Sequence, residues 1–157
     1  MHDLADTMTA EGVASVERGR GWLSRLVAAV AGFPPAGDNI PVRVSFTRSR
    51  GAEIWRRQFG ATSFASVQEA GRGRADRLLV ERFGPLAFGL ALVLDQEKLW
   101  LVVRRWSVFG LPLPVALAPR GEAYESAEDG RFHFRVEIRH PFTGLIVRYR
   151  GWLVPQR

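Results

Sequence analysis

Arg105 is the residue whose place in the sequence most strongly indicates a binding site. It lies on the same side of a predicted strand as Leu99, Leu101 and Val103, so its guanidinium should point where apolar side chains point. A partly buried arginine needs a partner, because an unpaired charge in apolar surroundings is costly. The nearest acid by predicted topology is Glu81, and the alternative partner is the anionic group of a ligand. We favour the internal ion pair.

The residues after Arg105 predict the rim of a pocket. Trp106, Phe109, Leu111 and Leu113 lie in or beside the segment GLPLP, whose prolines prevent it from pairing as a central strand. A tryptophan at such a rim supplies apolar area with a polar N–H group. A lipid-like, amphipathic small molecule would bury its tail in the core and place its head at Arg105. The alternative is that the loop caps the core and Trp106 seals it.

No pattern in the sequence predicts a catalytic or metal site. The histidines have no spacing typical of metal ligands; they are His2, His133 and His140. Cysteine is absent, and no serine lies in a nucleophile elbow. The glycine-rich segment AGRGR at 70–74 lacks the spacing of either nucleotide fingerprint. We therefore expect a non-enzymatic domain without catalytic residues, metal ligands or a cofactor, and an enzyme with a dispersed site is the least favoured alternative.

Strands must position these residues, because from residue 41 onward apolar and polar residues alternate. The stretch 86–94 is apolar on both faces, and so is 99–106 until Arg104 and Arg105, which is typical of central strands covered on each side. Short turns between neighbouring strands predict an antiparallel meander. So many twisted strands curl. The predicted fold is mainly β (α+β), a strongly curved sheet or partial barrel of 8–9 strands.

One amphipathic helix is predicted ahead of the strands. Gly32 and the two prolines after Phe33 end it. Its apolar residues recur at helical spacing and should pack on the concave face of the sheet; they are Trp22, Leu23, Leu26, Val27 and Val30. Residues 1–19 are polar without clear periodicity, which predicts a flexible tail. Residues 20–157 should form a single β-rich domain.

The charge balance limits the classes of partner. The net charge is +6, and Lys98 is the only lysine, so arginine carries nearly all of the positive charge. Arginine suits phosphate and carboxylate groups, but we favour GC-rich coding as the explanation of this composition. The arginines alternate along strands instead of forming a run, so we expect no nucleic-acid partner. No apolar run approaches the roughly 20 residues of a spanning helix, and the first residues do not resemble a signal peptide, which predicts a cytoplasmic protein.

Five short motifs carry a resemblance to a known family. FGPL, RRW, GLPLP, LAP and YRGWL occur in that order, and the similar region runs from about Gly21 to Leu153. Together they resemble a bacterial domain of unknown function that occurs alone or behind saccharopine-dehydrogenase-like NADP-binding domains. The resemblance implies no catalytic residues. Nothing in this chain resembles GxGxxG behind a first strand, so it should not bind NADP itself.

These observations favour one function and leave a second open. We expect an uncharacterised, non-enzymatic domain that binds an apolar or amphipathic small molecule in the concavity of the sheet. The alternative is a structural or protein-interaction domain with a filled core, acting with a partner enzyme. A lipid that co-purifies with the protein would separate the two.

Overall fold

In the computed structural model, the described residues are 7–156. His2 and the start of the expected tail lie outside them. Within this range the chain forms eleven antiparallel strands and one helix. The strands are β1 (Thr7–Arg18), β2 (Gly37–Ser49), β3 (Ala52–Phe59), β4 (Thr62–Ala70), β5 (Leu79–Phe83), β6 (Leu86–Asp95), β7 (Lys98–Val108), β8 (Leu111–Leu113), β9 (Ala123–Glu128), β10 (Arg131–His140) and β11 (Gly144–Pro155), and the helix is α1 (Trp22–Val30).

Ten of these strands form a closed β-barrel. From β1 to β7, each strand pairs with the next one in the sequence. β7 then pairs with β9, β9 with β10, β10 with β11, and β11 with β1, which closes the ring. The short β8 pairs only with β7 and lies outside the ring. The fold is mainly β with one helix, as expected, but the predicted partial barrel of 8–9 strands was wrong. The ring closes because a strand at the start of the chain fills the gap between β2 and β11.

That closing strand lies in the stretch expected to be a flexible tail. β1 is hydrogen-bonded to β2 on one side and to β11 on the other, and its Ala14 and Val16 are buried. Its inward positions are mostly small residues, which hides the alternation from the sequence. At Gly12 a Cβ atom would lie only 1.8 Å from the carbonyl oxygen of Trp152, so the small residue is what allows β11 to approach.

The two ends of the barrel differ in how far they are covered. At the end where β1 finishes, Val147 is fully buried and Phe33, just after α1, packs edge-on against Phe64 with 6.3 Å between ring centroids. At the opposite end, Met8 and Leu92 lie on inward-facing rows and yet are about half exposed. We call this the open end; the turns at 49–52 and 95–98 lie there.

The helix α1 forms where predicted but turns a different face to the barrel. Ser24 and Ala28 are buried, whereas Trp22 is 77% and Val30 is 82% exposed. α1 packs on β11 and β1. Small side chains allow that close approach, so the expectation that the large apolar stripe would pack on a concave face was wrong.

The apolar hairpin of β6 and β7 is less buried than its composition predicts. Leu90 is buried, but Leu92, Val93 and Leu94 are exposed. β5 pairs with β6 only as far as Leu90, so the last half of β6 has no neighbour on that side. The hairpin therefore projects at the open end instead of being covered on both faces.

Candidate functional site

The structure separates Arg105 from the apolar row it was expected to join. A bulge falls where β6 passes from Gly89 to Leu90, and it places Arg105 opposite Gly89. Trp106 then pairs with Phe88, on the inward row, and Arg105 is exposed. One extra residue in β7 reverses the alternation, so the expected partly buried position of Arg105 was wrong.

Glu81 also has a different partner from the one expected. It is buried inside the barrel, and its Oε1 lies 3.1 Å from Nη2 of Arg57. The expected ion pair between Arg105 and Glu81 is therefore replaced by one between β3 and β5.

The other predicted site residues lie at the end of the barrel where β1 finishes and α1 begins, which we call the α1 end. Trp106 stacks on Phe88 with 6.4 Å between ring centroids, and its Nε1 donates a hydrogen bond of 2.9 Å to the carbonyl of Pro114. Leu113 pairs opposite Trp106 and is half-buried. Phe109 and Leu111 are exposed. The structure thus brings Trp106 and Leu113 together and leaves the other three apart; their role in binding stays a prediction.

A cluster of polar side chains lies inside the barrel, and three of its members form a hydrogen-bonded triangle. Nη1 of Arg57 donates to Oγ of Ser66 at 2.7 Å, and Oγ of Ser66 donates to Oε1 of Glu81 at 2.6 Å. The Arg57–Glu81 contact closes the triangle. Each comes from a different strand, β3, β4 or β5, at an inward position. We call these three, with Glu125 and Tyr149, the interior cluster.

Aromatic rings hold the Arg57 side chain in place. Its guanidinium carbon lies 5.3 Å from the ring centroid of Trp55 and 5.7 Å from that of Phe64. Such cation–π contacts strengthen when the cation is desolvated. Arg57 is thus fixed by two rings as well as by Ser66 and Glu81.

Glu125 of β9 and Tyr149 of β11 complete the cluster from the other side of the barrel. Burial raises the pKa of Glu125, against the opposing effect of the positive charge on Arg57. Burial likewise raises the pKa of Tyr149 to about 12, and Arg57 again acts in the opposite direction. Among residues 7–156, neither the Glu125 carboxyl group nor the Tyr149 hydroxyl has a hydrogen-bond partner. Among the described residues, the side-chain polar atoms that are both fully buried and without a partner are Nε of Arg18 and Nε of Arg135, so the oxygens of Glu125 and Tyr149 keep accessible surface and are available to water or to a ligand.

The arrangement suits binding better than covalent chemistry. Oγ of Ser66 already donates its proton to Glu81, and the same carboxylate is paired with Arg57, so both groups are occupied by partners within the protein. No histidine belongs to the cluster, and the described residues contain no group of three side chains able to hold a metal ion. What the cluster offers is one balanced ion pair, one further acid and one free hydroxyl.

Apolar surface surrounds the cluster. Toward the α1 end, Tyr149 packs edge-on against Phe59 with 5.3 Å between ring centroids, and beside Glu125 it packs edge-on against Phe134 at 6.1 Å. Toward the open end, Phe46 stacks on Trp55 at 4.9 Å. The interior is thus polar at one level and apolar above and below it.

Sequence reasoning missed this cluster although a signal was present. Arg57 alternates with Trp55 and Phe59, and Glu81 alternates with Leu79 and Phe83. A charged residue at an inward position of an otherwise apolar row is a candidate buried charge. Their meeting across β4 could be recognised only once the register was known.

Comparison with known proteins gives one match. A family model described as Domain of unknown function (DUF4166) matches residues 1–153, which covers the whole interior cluster. No curated protein and no solved structure matches the chain. No helix among the described residues is long and apolar enough to cross a membrane.

Proposed function

We propose, from the premise that the chain belongs to the domain family of unknown function DUF4166, that its barrel binds an amphipathic small molecule without transforming it. One observation carries the proposal: two polar groups inside the barrel, on Glu125 and Tyr149, lack hydrogen-bond partners. The sequence-based idea of an amphipathic ligand is kept, and its polar head moves from Arg105 to the interior cluster.

The charges of the cluster define the head group. Arg57 is already paired with Glu81, so Glu125 is the acid left to interact with a ligand. A carboxyl group beside a phenol favours a ligand that donates hydrogen bonds, such as an alcohol or an amine. An anionic head would meet two carboxyl groups and only one guanidinium.

The open end fits the apolar part of such a ligand. Leu92 is 49% exposed although it continues the inward row of β6, and Met8 is similarly exposed on β1. Covering exposed apolar surface contributes about 25 cal/mol per Å². A hydrocarbon chain lying between the cluster and the open end would cover both residues.

Three probes with the same tail test the proposal. Dodecanol, dodecylamine and dodecanoate are titrated below their micelle concentrations, with tryptophan fluorescence as the readout because Trp55 lies in the wall. We expect the alcohol and the amine to bind more tightly than the acid. Glu125→Gln should weaken amine binding about tenfold, the usual effect of losing one charge-assisted hydrogen bond.

The control variant makes the same change of charge on the outside of the barrel. Glu128→Gln alters an exposed acid on the same strand and should bind all three probes as wild type does. If wild type binds none of the probes, or if both variants bind the amine equally, the interior is not a ligand site of this kind.

An exposed apolar surface favours a second candidate function. Phe109 is 84% exposed, and Leu111, Val115 and Leu117 near it are also exposed. We propose that this surface contacts a saccharopine-dehydrogenase-like NADP-binding domain, the partner that the sequence resemblance implies. In a pull-down with such a domain, Phe109→Ser should abolish binding and Leu94→Ser should not. Equal binding by both variants would exclude this surface; the cytoplasmic location of such a complex stays a prediction.

A further inference from the structure

Two arginines lie directly opposite each other on the outer face of the barrel. Arg135 of β10 and Arg150 of β11 are paired in register. Opposed side chains in a sheet have Cβ atoms about 5 Å apart, and like charges there are destabilising. Arg150 has no ion pair or hydrogen bond within the described chain. Nε of Arg135 is buried and likewise without a hydrogen-bond partner.

The acid that forms an ion pair with Arg135 shares its single charge among three arginines. Oε2 of Glu137 forms an ion pair with Nη2 of Arg135, but the 3.7 Å between the two atoms is too long for a hydrogen bond. Its two carboxylate oxygens are already engaged, one by Arg139 and the other by Nε of Arg148 at 2.6 Å. The pair of arginines therefore keeps an unmatched positive charge.

A groove of about 480 Å³ lies over the pair. Three basic side chains line it against one acid; these are Lys98, Arg135, Arg150 and Glu128. Hydroxyl groups flank the arginines in the same cross-strand row, with Tyr124 beside Arg135 and Ser15 beside Arg150.

We propose that this outer groove binds the phosphate group of a phosphorylated small molecule. The planar guanidinium of arginine matches phosphate oxygens with paired hydrogen bonds, and the two flanking hydroxyls add donors. The groove is several times larger than a bare phosphate, so the rest of the ligand has room beside Trp152. Because the groove lies on the face opposite the interior cluster, this site is independent of the proposed function.

Thermal unfolding at constant ionic strength tests the site. Inorganic phosphate and glycerol 3-phosphate each replace chloride stepwise, and we expect a saturable rise in the melting temperature of the wild type. Arg150→Gln removes one of the two guanidinium groups, so its affinity for phosphate should fall at least about tenfold. The saturable rise should then be lost. Without phosphate its melting temperature should equal or exceed that of wild type, since the repulsion is relieved. If the role of Arg150 were only structural, Arg150→Gln would instead lower the melting temperature both with and without phosphate.

Controls separate this site from general salt effects and from membranes. Arg25→Gln removes an exposed charge on α1 and should keep the saturable rise. A rise that is identical in wild type and Arg150→Gln would overturn the proposal, because it would reflect the exclusion of phosphate from protein surfaces. Co-sedimentation with phosphatidylcholine vesicles only when they contain phosphatidic acid, with no response to glycerol 3-phosphate, would also overturn it in favour of a lipid surface.

Discussion

Glu125 is a residue whose removal should stabilise the protein while weakening ligand binding. Its folded-state pKa is raised from 4.5, so the native state holds the proton more tightly than the unfolded chain does. Its favourable contribution is present below the unfolded value and is lost as pH rises through the raised pKa. Glu125→Gln should therefore raise the melting temperature at about pH 8 and change it little at about pH 4. A lower melting temperature at the higher pH would show that the carboxylate has a structural partner.

Arg57 and Glu81 should behave as a unit. Arg57→Met leaves the buried Glu81 without its positive partner, and breaking such a pair costs about 3–5 kcal/mol. The double variant Arg57→Met/Glu81→Leu removes both charges and should recover most of that loss. Urea unfolding of the single and double variants measures the coupling. Losses that simply add would contradict the pairing.

Glu137 should contribute stability that disappears in acid. Hydrogen bonds from Arg148 and then Arg139 lower its pKa from 4.5 to about 2. This depressed pKa contributes stability that is fully present above the unfolded value and is lost as pH falls toward 2. The deficit of Glu137→Gln relative to wild type should thus shrink over that range in acid unfolding. Glu128→Gln, which removes an acid outside that network, should show no such convergence.

At the scale of elements, the buried face of α1 distinguishes two substitutions. Ala28 is fully buried, so Ala28→Asp places an unpaired charge in the interior and should cost several kcal/mol. Leu26 is 53% exposed, so Leu26→Asp should change stability by less than about 0.5 kcal/mol. Melting temperatures of the two variants check this. A larger loss for Leu26→Asp than for Ala28→Asp would show that the large apolar residues of α1 are the ones that pack on the barrel.

The elements show where alternation is a sufficient guide and where it is not. The positions of α1 and of β10, with its clean change between Phe132, His133 and Phe134, follow from local periodicity. The bulge beside Gly89 does not, because the sequence on either side of it reads as an unbroken strand. The face of α1 was also wrongly predicted, since helix spacing gives a stripe but not whether large or small residues allow the closer approach.

At the scale of the molecule, the closure of the β-barrel could not be predicted from local sequence patterns. The antiparallel arrangement of neighbouring strands follows from short turns, but the predicted number of 8–9 strands was too low, and the pairing of Ala14 with Gly151 joins strands far apart in the sequence. The same limit applies to the interior cluster. Glu125 reaches Arg57 only because β9 and β3 curve around one interior.

The pairing of β1 with β11 has a consequence for how the protein folds. As the chain is synthesised, β1 can pair early with β2, but its other edge must wait for β11. An unpaired strand edge is a template for association with other chains. Contacts so distant in sequence also slow folding. Until β11 pairs with β1, one edge of β1 is therefore uncovered, and β11 is the strand that protects it.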